Sequence, residues 1–259
     1  MGTVDRVGEV LRSAERSRSA IGPASDLVEG GLTVDMAHAV CESNIQKRLA
    51  AGERLVGYKV GSTNDKVRVA MGLPGPIYGY LFDNMVVSTG GEFLMDELIA
   101  PRIESEICFR MGRDLEGAGV TIDQVLDATD AVSAAFEVCD SRIKDWKCPY
   151  PDWFADNGFA ARIVLPDGWV PVRDIDLPRE AVYLAQDGHK IAEGTGEMVM
   201  GNPANAVAWL ARSLHERGMG LSAGMLVMTG TLTPVTPIER GSAYRASFST
   251  LGSVQKTFV

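Results

Sequence analysis

The chain has 259 residues, 46% of them hydrophobic and 23% charged, with a mean hydropathy of +0.02, the profile of an ordinary folded protein with ample core to bury. A net charge of −9 and a pI of about 4.9, with no run rich in Lys or Arg, argue against nucleic acid or an acidic membrane surface as partner. No stretch approaches the roughly 20 apolar residues of a membrane helix. The first twenty residues lack the apolar centre of a signal peptide, so a cytoplasmic protein is expected.

Residues 3–17 and 34–51 read as helices, the second from Val34, Ala37, Val40, Cys41, Ile45 and Leu49 at helical spacing before the stop at Gly52. RLVGYKVG (54–61) reads as a strand ending in glycine, and the following Ser-Thr-Asn offers a cap for a brief helix through Met71. GLPGPIYG (72–79) reads as a Gly/Pro loop, a boundary or a lid. From about residue 80 the texture becomes β: 85–88, 103–111, 131–139, 160–165, 182–185, 190–194, 225–230 and a tail near 244–259, with Asp187-Gly188 as a hairpin signal. Helices interrupt this after the Thr121 cap and after Asn202-Pro203, where proline suits the first helical position. The expectation is an α+β fold, with residues 1–75 a small helical N-terminal region and 76–259 a β-rich catalytic domain.

Within PRIESEICF (101–109), Glu104 and Glu106 point to one face of a strand, because positions i and i+2 share a side. Either that face is wet, or a cation sits between the two carboxylates. Glu137 lies in AAFEVCDSR, a run otherwise apolar enough to be buried, where a carboxylate is costly unless paired or metal-bound. Three carboxylates from two strands suit a hard cation such as Mg²⁺ or Mn²⁺, with Arg102, Arg110 or Arg142 as the salt-bridge alternative. Lys59, between apolar neighbours, is either a general base or carboxylate anchor or an edge-strand lysine facing water.

The four cysteines (Cys41, Cys108, Cys139, Cys148) show no CxxC spacing, and there are only three histidines. Reduced, mostly buried thiols are expected rather than a zinc site. Asp156-Asn157-Gly158 reads as a turn whose side chains alternatively serve a metal shell. In MTGTLTPV (228–235), backbone N–H groups after an apolar strand are placed to receive a carboxylate. Trp146, Tyr150, Trp153 and Phe154 lie in an apparent loop that walls a pocket or covers a core edge.

GYKVGSTN, PIYGYL, APRIESEICF, FEVCDSRI, ADN, GNPANAVAWL, MTGTLT and the terminal LGSVQ, in this order, closely resemble the 2-hydroxypentadienoate hydratase/4-oxalocrotonate decarboxylase group of the fumarylacetoacetate hydrolase superfamily. The resemblance covers roughly residues 10–258. It implies a mixed β-roll or barrel with a helical N-terminal region and a Mg²⁺ or Mn²⁺ site. It also implies metal ligands at Glu104, Glu106 and Glu137, an active-site lysine at Lys59, and substrate contacts at Tyr78, Asp156, Phe159, Arg162 and Thr231. Such enzymes act on small 2-oxo or 2-hydroxy unsaturated acids from cleavage of aromatic rings. The metal would chelate the 1-carboxylate and 2-oxo oxygen.

Many hydratases of this group carry Asp where this chain has Ile77, which resembles the decarboxylase branch, whereas AERSRSAIGPAS resembles the hydratases. The first reading is therefore decarboxylation of a 2-oxo-3-enedioate. Hydration of 2-hydroxypenta-2,4-dienoate is the alternative, and a non-catalytic partner subunit is the reading of another class. Gly158-Phe159-Ala160-Ala161 departs from the small and Ser residues usual after ADN, implying an altered pocket. The resemblance further implies a homo-oligomer and association with a partner hydratase or decarboxylase.

Overall fold

The computed structural model describes residues 2–259. Its elements run α1 (Thr3–Ser17), α2 (Val34–Ala50), β1 (Leu55–Gly61), α3 (Asp65–Ala70), β2 (Ile77–Phe82), β3 (Val86–Ser88), β4 (Glu92–Phe93), β5 (Arg102–Met111), α4 (Ile122–Ala128), β6 (Thr129–Cys139), α5 (Tyr150–Ala155), β7 (Ala160–Leu165), β8 (Val170–Pro171), β9 (Ala181–Gln186), β10 (His189–Thr195), α6 (Pro203–His215), β11 (Leu226–Met228), β12 (Thr236–Pro237), β13 (Ala243–Phe248) and β14 (Ser253–Phe258).

Helix starts follow the capping chemistry written in the sequence. Asn64 accepts from the Val67 N–H at the start of α3, and Thr121 with Gln124 forms a reciprocal capping box on α4. Asn202 caps α6, with Pro203 at its first position. Asp187-Gly188 turns β9 into β10 as expected, with both residues at positive φ.

Two open sheets carry the fold. The larger runs β2-β1-β11-β5-β6-β7-β3, with β12 beside β5 and β8 beside β6; the smaller runs β10-β9-β13-β14-β4. Strands β13 and β14 pack against β6, and β14 also against β7, so Phe136, Ile103 and Ile107 become fully buried. The larger sheet retains two ends, so the architecture is the mixed roll and not a closed barrel. Helix α5 packs against α2, which packs against α1, and α6 packs against β1 and α4.

Two expectations for irregular segments need correction. Residues 77–79, read as part of a loop, begin the wholly buried strand β2, paired antiparallel to β1. The aromatic segment after residue 145 contains α5, entered through Pro149 and Pro151. In both, burial of Ile77, Tyr78, Tyr80 and Phe154 outweighs the local turn signals of glycine and proline.

Strand β1 lies between β2 and β11, so Lys59 stands in the interior of the larger sheet, 3% exposed, and is not an edge lysine. The helical part of the chain before residue 76 therefore also contributes a strand to the sheet that carries the carboxylates.

Candidate active site

Antiparallel pairing of β5 with β6 sets Glu104 directly opposite Glu137 and Glu106 opposite Ala135. Glu104 and Glu106 share a face by strand alternation, and cross-strand register places Glu137 and Cys139 on that same face. Lys59 joins them through β11, where Lys59 pairs with Met228 and Met228 with Cys108. Glu106 and Glu137 are fully buried, whereas Glu104 is half-buried. The carboxylate face is therefore not a wet one.

Lys59 Nζ lies 3.2 Å from Glu137 Oε1, an ion pair without the direction of a hydrogen bond. Among the described residues, both Glu137 oxygens and Glu106 Oε1 are buried with no hydrogen-bond partner. Orphaned carboxylate oxygens of this kind are expensive in an apolar interior unless something cationic meets them. Glu106 Oε2 accepts the Gly230 N–H at 2.8 Å. The backbone N–H anticipated in MTGTLTPV thus receives a carboxylate, the protein's own. Gly230 has φ +105°, and a β-carbon there would stand 2.0 Å from Thr63 Oγ1, so only glycine allows this approach.

Burial pushes Glu137 up to about 7, with Glu104 adding to the rise and the Lys59 ammonium opposing it. Burial likewise raises Glu106 well above the usual carboxylate range, with Glu137 and Glu104 reinforcing it. Desolvation works against charge on Lys59, but Cys139, Glu137, Glu104 and Glu106 together carry its pKa above the ordinary lysine value. Lys59 is thereby kept as an ammonium.

The ligand atoms of Glu104, Glu137 and Cys139 all lie within 4.8 Å of one another. Glu106 does not join that cluster. A signal for Cys139 did exist, because it follows Glu137 by two positions on one strand, but spacing rules for cysteine look for partner cysteines and histidines instead.

The other expected contacts spread around this centre. Phe159 packs between Trp146 and Trp153, at ring distances of 5.1 and 5.5 Å, and Gly158 beside it reaches Lys59 Cδ, since a β-carbon on Gly158 would stand 3.3 Å away. Trp146 and Phe159 both hold positive φ, 60° and 64°, a strained conformation for bulky residues. Thr231 follows Gly230 and bonds the Thr233 carbonyl at 2.7 Å. Tyr78 falls on the other face of β2, opposite Val60, with its ring 5.5 Å from His38.

Asp156 is engaged by the Arg142 N–H at 3.0 Å and by its guanidinium, and burial holds its carboxyl at about 6, with Arg142 opposing. Arg162 pairs with Glu97 at 2.9 Å. Asp156 and Arg162 both line a separate cavity of about 380 Å³ between the N-terminal helices and the sheet.

Two residues outside the expected ligand and substrate-contact set also border the site. Arg102 precedes Glu104 by two positions on the same face and stacks 4.4 Å over the Trp146 ring. Among the described residues it has no carboxylate partner. Ile77 is buried on the Lys59 face. A β-carbon on Gly61 would lie 3.1 Å from Ile77 Cγ1 and 3.2 Å from Lys59 Nζ, so an apolar side chain borders the ammonium.

The fumarylacetoacetate (FAA) hydrolase C-terminal family matches residues 62–259. A 2-keto-4-pentenoate hydratase of Burkholderia vietnamiensis is 40% identical over 248 residues, covering 96% of this chain and 94% of the relative. The TodF product hydratase of Pseudomonas putida is 36% identical over 259 residues, covering 99% of this chain and 96% of the relative. Among solved structures, the 4-oxalocrotonate decarboxylase from Pseudomonas putida G7, complexed with magnesium and adipate, superimposes with a TM-score of 0.95 at 32% identity, covering 99% of this chain and 97% of that one. This chain belongs to the fumarylacetoacetate hydrolase family, in the group of the 2-hydroxypentadienoate hydratases and 4-oxalocrotonate decarboxylases.

Proposed function

We propose that the protein is a divalent-metal-dependent lyase of a small 2-oxo or 2-hydroxy unsaturated acid, and that it decarboxylates a 2-oxo-3-enedioate. The observation that carries the metal-dependent reading is Glu137, fully buried and facing Glu104, with the Lys59 ammonium beside Oε1 as its counter-charge and neither oxygen hydrogen-bonded among the described residues. These hard oxygen donors fit Mg²⁺ or Mn²⁺, which Glu104, Glu106 and Glu137 would hold. Bound there, the ion supplies a Lewis acid and a template for the carboxylate and 2-oxo group of the substrate.

Lys59, charged and anchored by Glu137, is placed to neutralise negative charge developing on the substrate and to donate a proton to it. Phe159, Trp146 and Trp153 wall the site beyond Gly158 and restrict water. Tyr78, Asp156, Arg162 and Thr231 complete the set expected to touch or shape the substrate, the first three from the surrounding shell.

Arg102 favours a dioate. It offers an uncompensated cation to the distal carboxylate, which a dioate carries and a monoacid lacks. Ile77 points the same way, since addition of water needs a proton carrier at the distal alkene and an apolar side chain stands beside Lys59 instead. Hydration of 2-hydroxypenta-2,4-dienoate is the second reading, favoured by the hydratase relative at 40% identity.

Trapped CO₂ from the dioate, set against loss of dienol absorbance from the monoacid, separates the two. Hydration without CO₂ release overturns the first in favour of the second. Light scattering of the chain alone, and mixed with a partner hydratase, tests the homo-oligomer and the association implied by the resemblance.

A further inference from the structure

The donor atoms standing closest together in this site are not three carboxylates. They are the oxygens of Glu104 and Glu137 and the sulfur of Cys139, mutually within 4.8 Å. Residues 137 and 139 of β6 present their side chains to one face, while Glu106 is held back by the Gly230 N–H. The thiol is free and 3% exposed. Its Sγ lies 4.0 Å from the Lys59 ammonium, on the side of the cluster where Glu137 meets that ammonium. Glu137, fully buried, ion-paired to Lys59 through Oε1 but with neither oxygen hydrogen-bonded among the described residues, independently marks this point as one that needs a ligand.

We propose that Cys139 is a conditional metal ligand that makes the site selective for borderline-soft divalent ions. This rests on the metal-dependent reading of the same carboxylates. With Mg²⁺, a hard ion that takes oxygen and water, the sulfur stays a thiol and the ion is held by carboxylates alone. With Co²⁺ or Zn²⁺, the Cys139 S–H bond breaks, its proton leaves to buffer, and the sulfur's electron pair forms the metal bond beside Glu104 and Glu137. No electron changes hands. The mixed oxygen and sulfur set then outcompetes the all-oxygen one, so such ions displace Mg²⁺ and retain the site.

The test uses metal-stripped full-length protein titrated with Co²⁺ and followed by absorbance. The near-ultraviolet sulfur-to-cobalt charge-transfer band is expected in the wild type, absent in Cys139→Ser and Cys139→Val, and retained in the control Cys148→Ser. The preference for Zn²⁺ over Mg²⁺ in competition calorimetry should fall by about tenfold or more in both Cys139 variants, with Mg²⁺ affinity unchanged. A Co²⁺ complex with no charge-transfer band, or a band that survives in Cys139→Val, overturns the proposal and leaves the carboxylate site standing. Failure of Co²⁺ to bind at all overturns both.

Discussion

Glu104 and Glu137 face each other across β5 and β6 at a single register position, two carboxylates opposed within one sheet. Facing like charges weaken a sheet unless a cation offsets them. Among the described residues, the cation that does so without metal is Lys59, which reaches Glu137 at 3.2 Å. On the proposed metal-dependent reading, the pair would trade stability of the metal-free protein for metal affinity.

Removing one of the two charges should reverse that trade. Glu104→Gln is expected to leave the metal-free protein as stable as the wild type, or more so by up to about 1 kcal/mol. The same change should abolish the rise in melting temperature that Mn²⁺ gives by mass action. Scanning fluorimetry with and without Mn²⁺ reads both, and a wild-type rise in the variant would detach Glu104 from the metal.

Lys59→Met removes the cation that Glu137 and Glu106 share. Leaving a buried charge unpaired costs about 3 kcal/mol, so the metal-free variant should lose stability in urea, with part of the loss recovered on adding metal. Turnover should drop by about 10²–10⁴ if Lys59 moves the proton. Stable protein with undiminished turnover would remove Lys59 from the chemistry.

Arg102→Met keeps the apolar length that packs on Trp146 and deletes the charge. KM for the dioate should rise by about tenfold or more, the scale of a charge-assisted contact, with KM for a monoacid of the same chain length unchanged. Equal effects on both substrates would reduce Arg102 to a structural prop.

His38 lies against Phe154, with ring centroids 4.3 Å apart, and burial lowers its pKa to about 4, with Arg217 adding to the fall. The unfolded chain takes up a proton near pH 6.5 and the folded chain only near 4. Stability is therefore full above about 6.5 and is lost as pH falls from there toward 4. Allowing for partial screening, the effect is about 1 kcal/mol, a fall in Tm of about 2–4 °C. His38→Gln should flatten the slope of Tm between pH 7 and 5, and an unchanged slope would assign it to other groups.

Much of this arrangement was legible in advance. Strand alternation alone put Glu104 and Glu106 on one face, and the apolar neighbours of Glu137 already demanded a partner for it. Caps at Asn64, Thr121 and Asn202 fixed where helices begin, because side-chain capping is a local interaction. The same local reasoning failed at Ile77–Gly79 and at α5, where glycine and proline speak of turns but burial of the neighbouring aromatics decides.

The sequence by itself therefore determined the types of residue available and the face each occupies on its own strand. Only the tertiary structure decided which strands lie side by side. The order β1-β11-β5-β6 brings Lys59 to carboxylates 45 and more positions away, sets Glu137 opposite Glu104, and turns Cys139 from a buried thiol into a candidate ligand. Such pairings depend on long-range burial of both sheet faces, a global free-energy balance that no window of neighbouring residues contains.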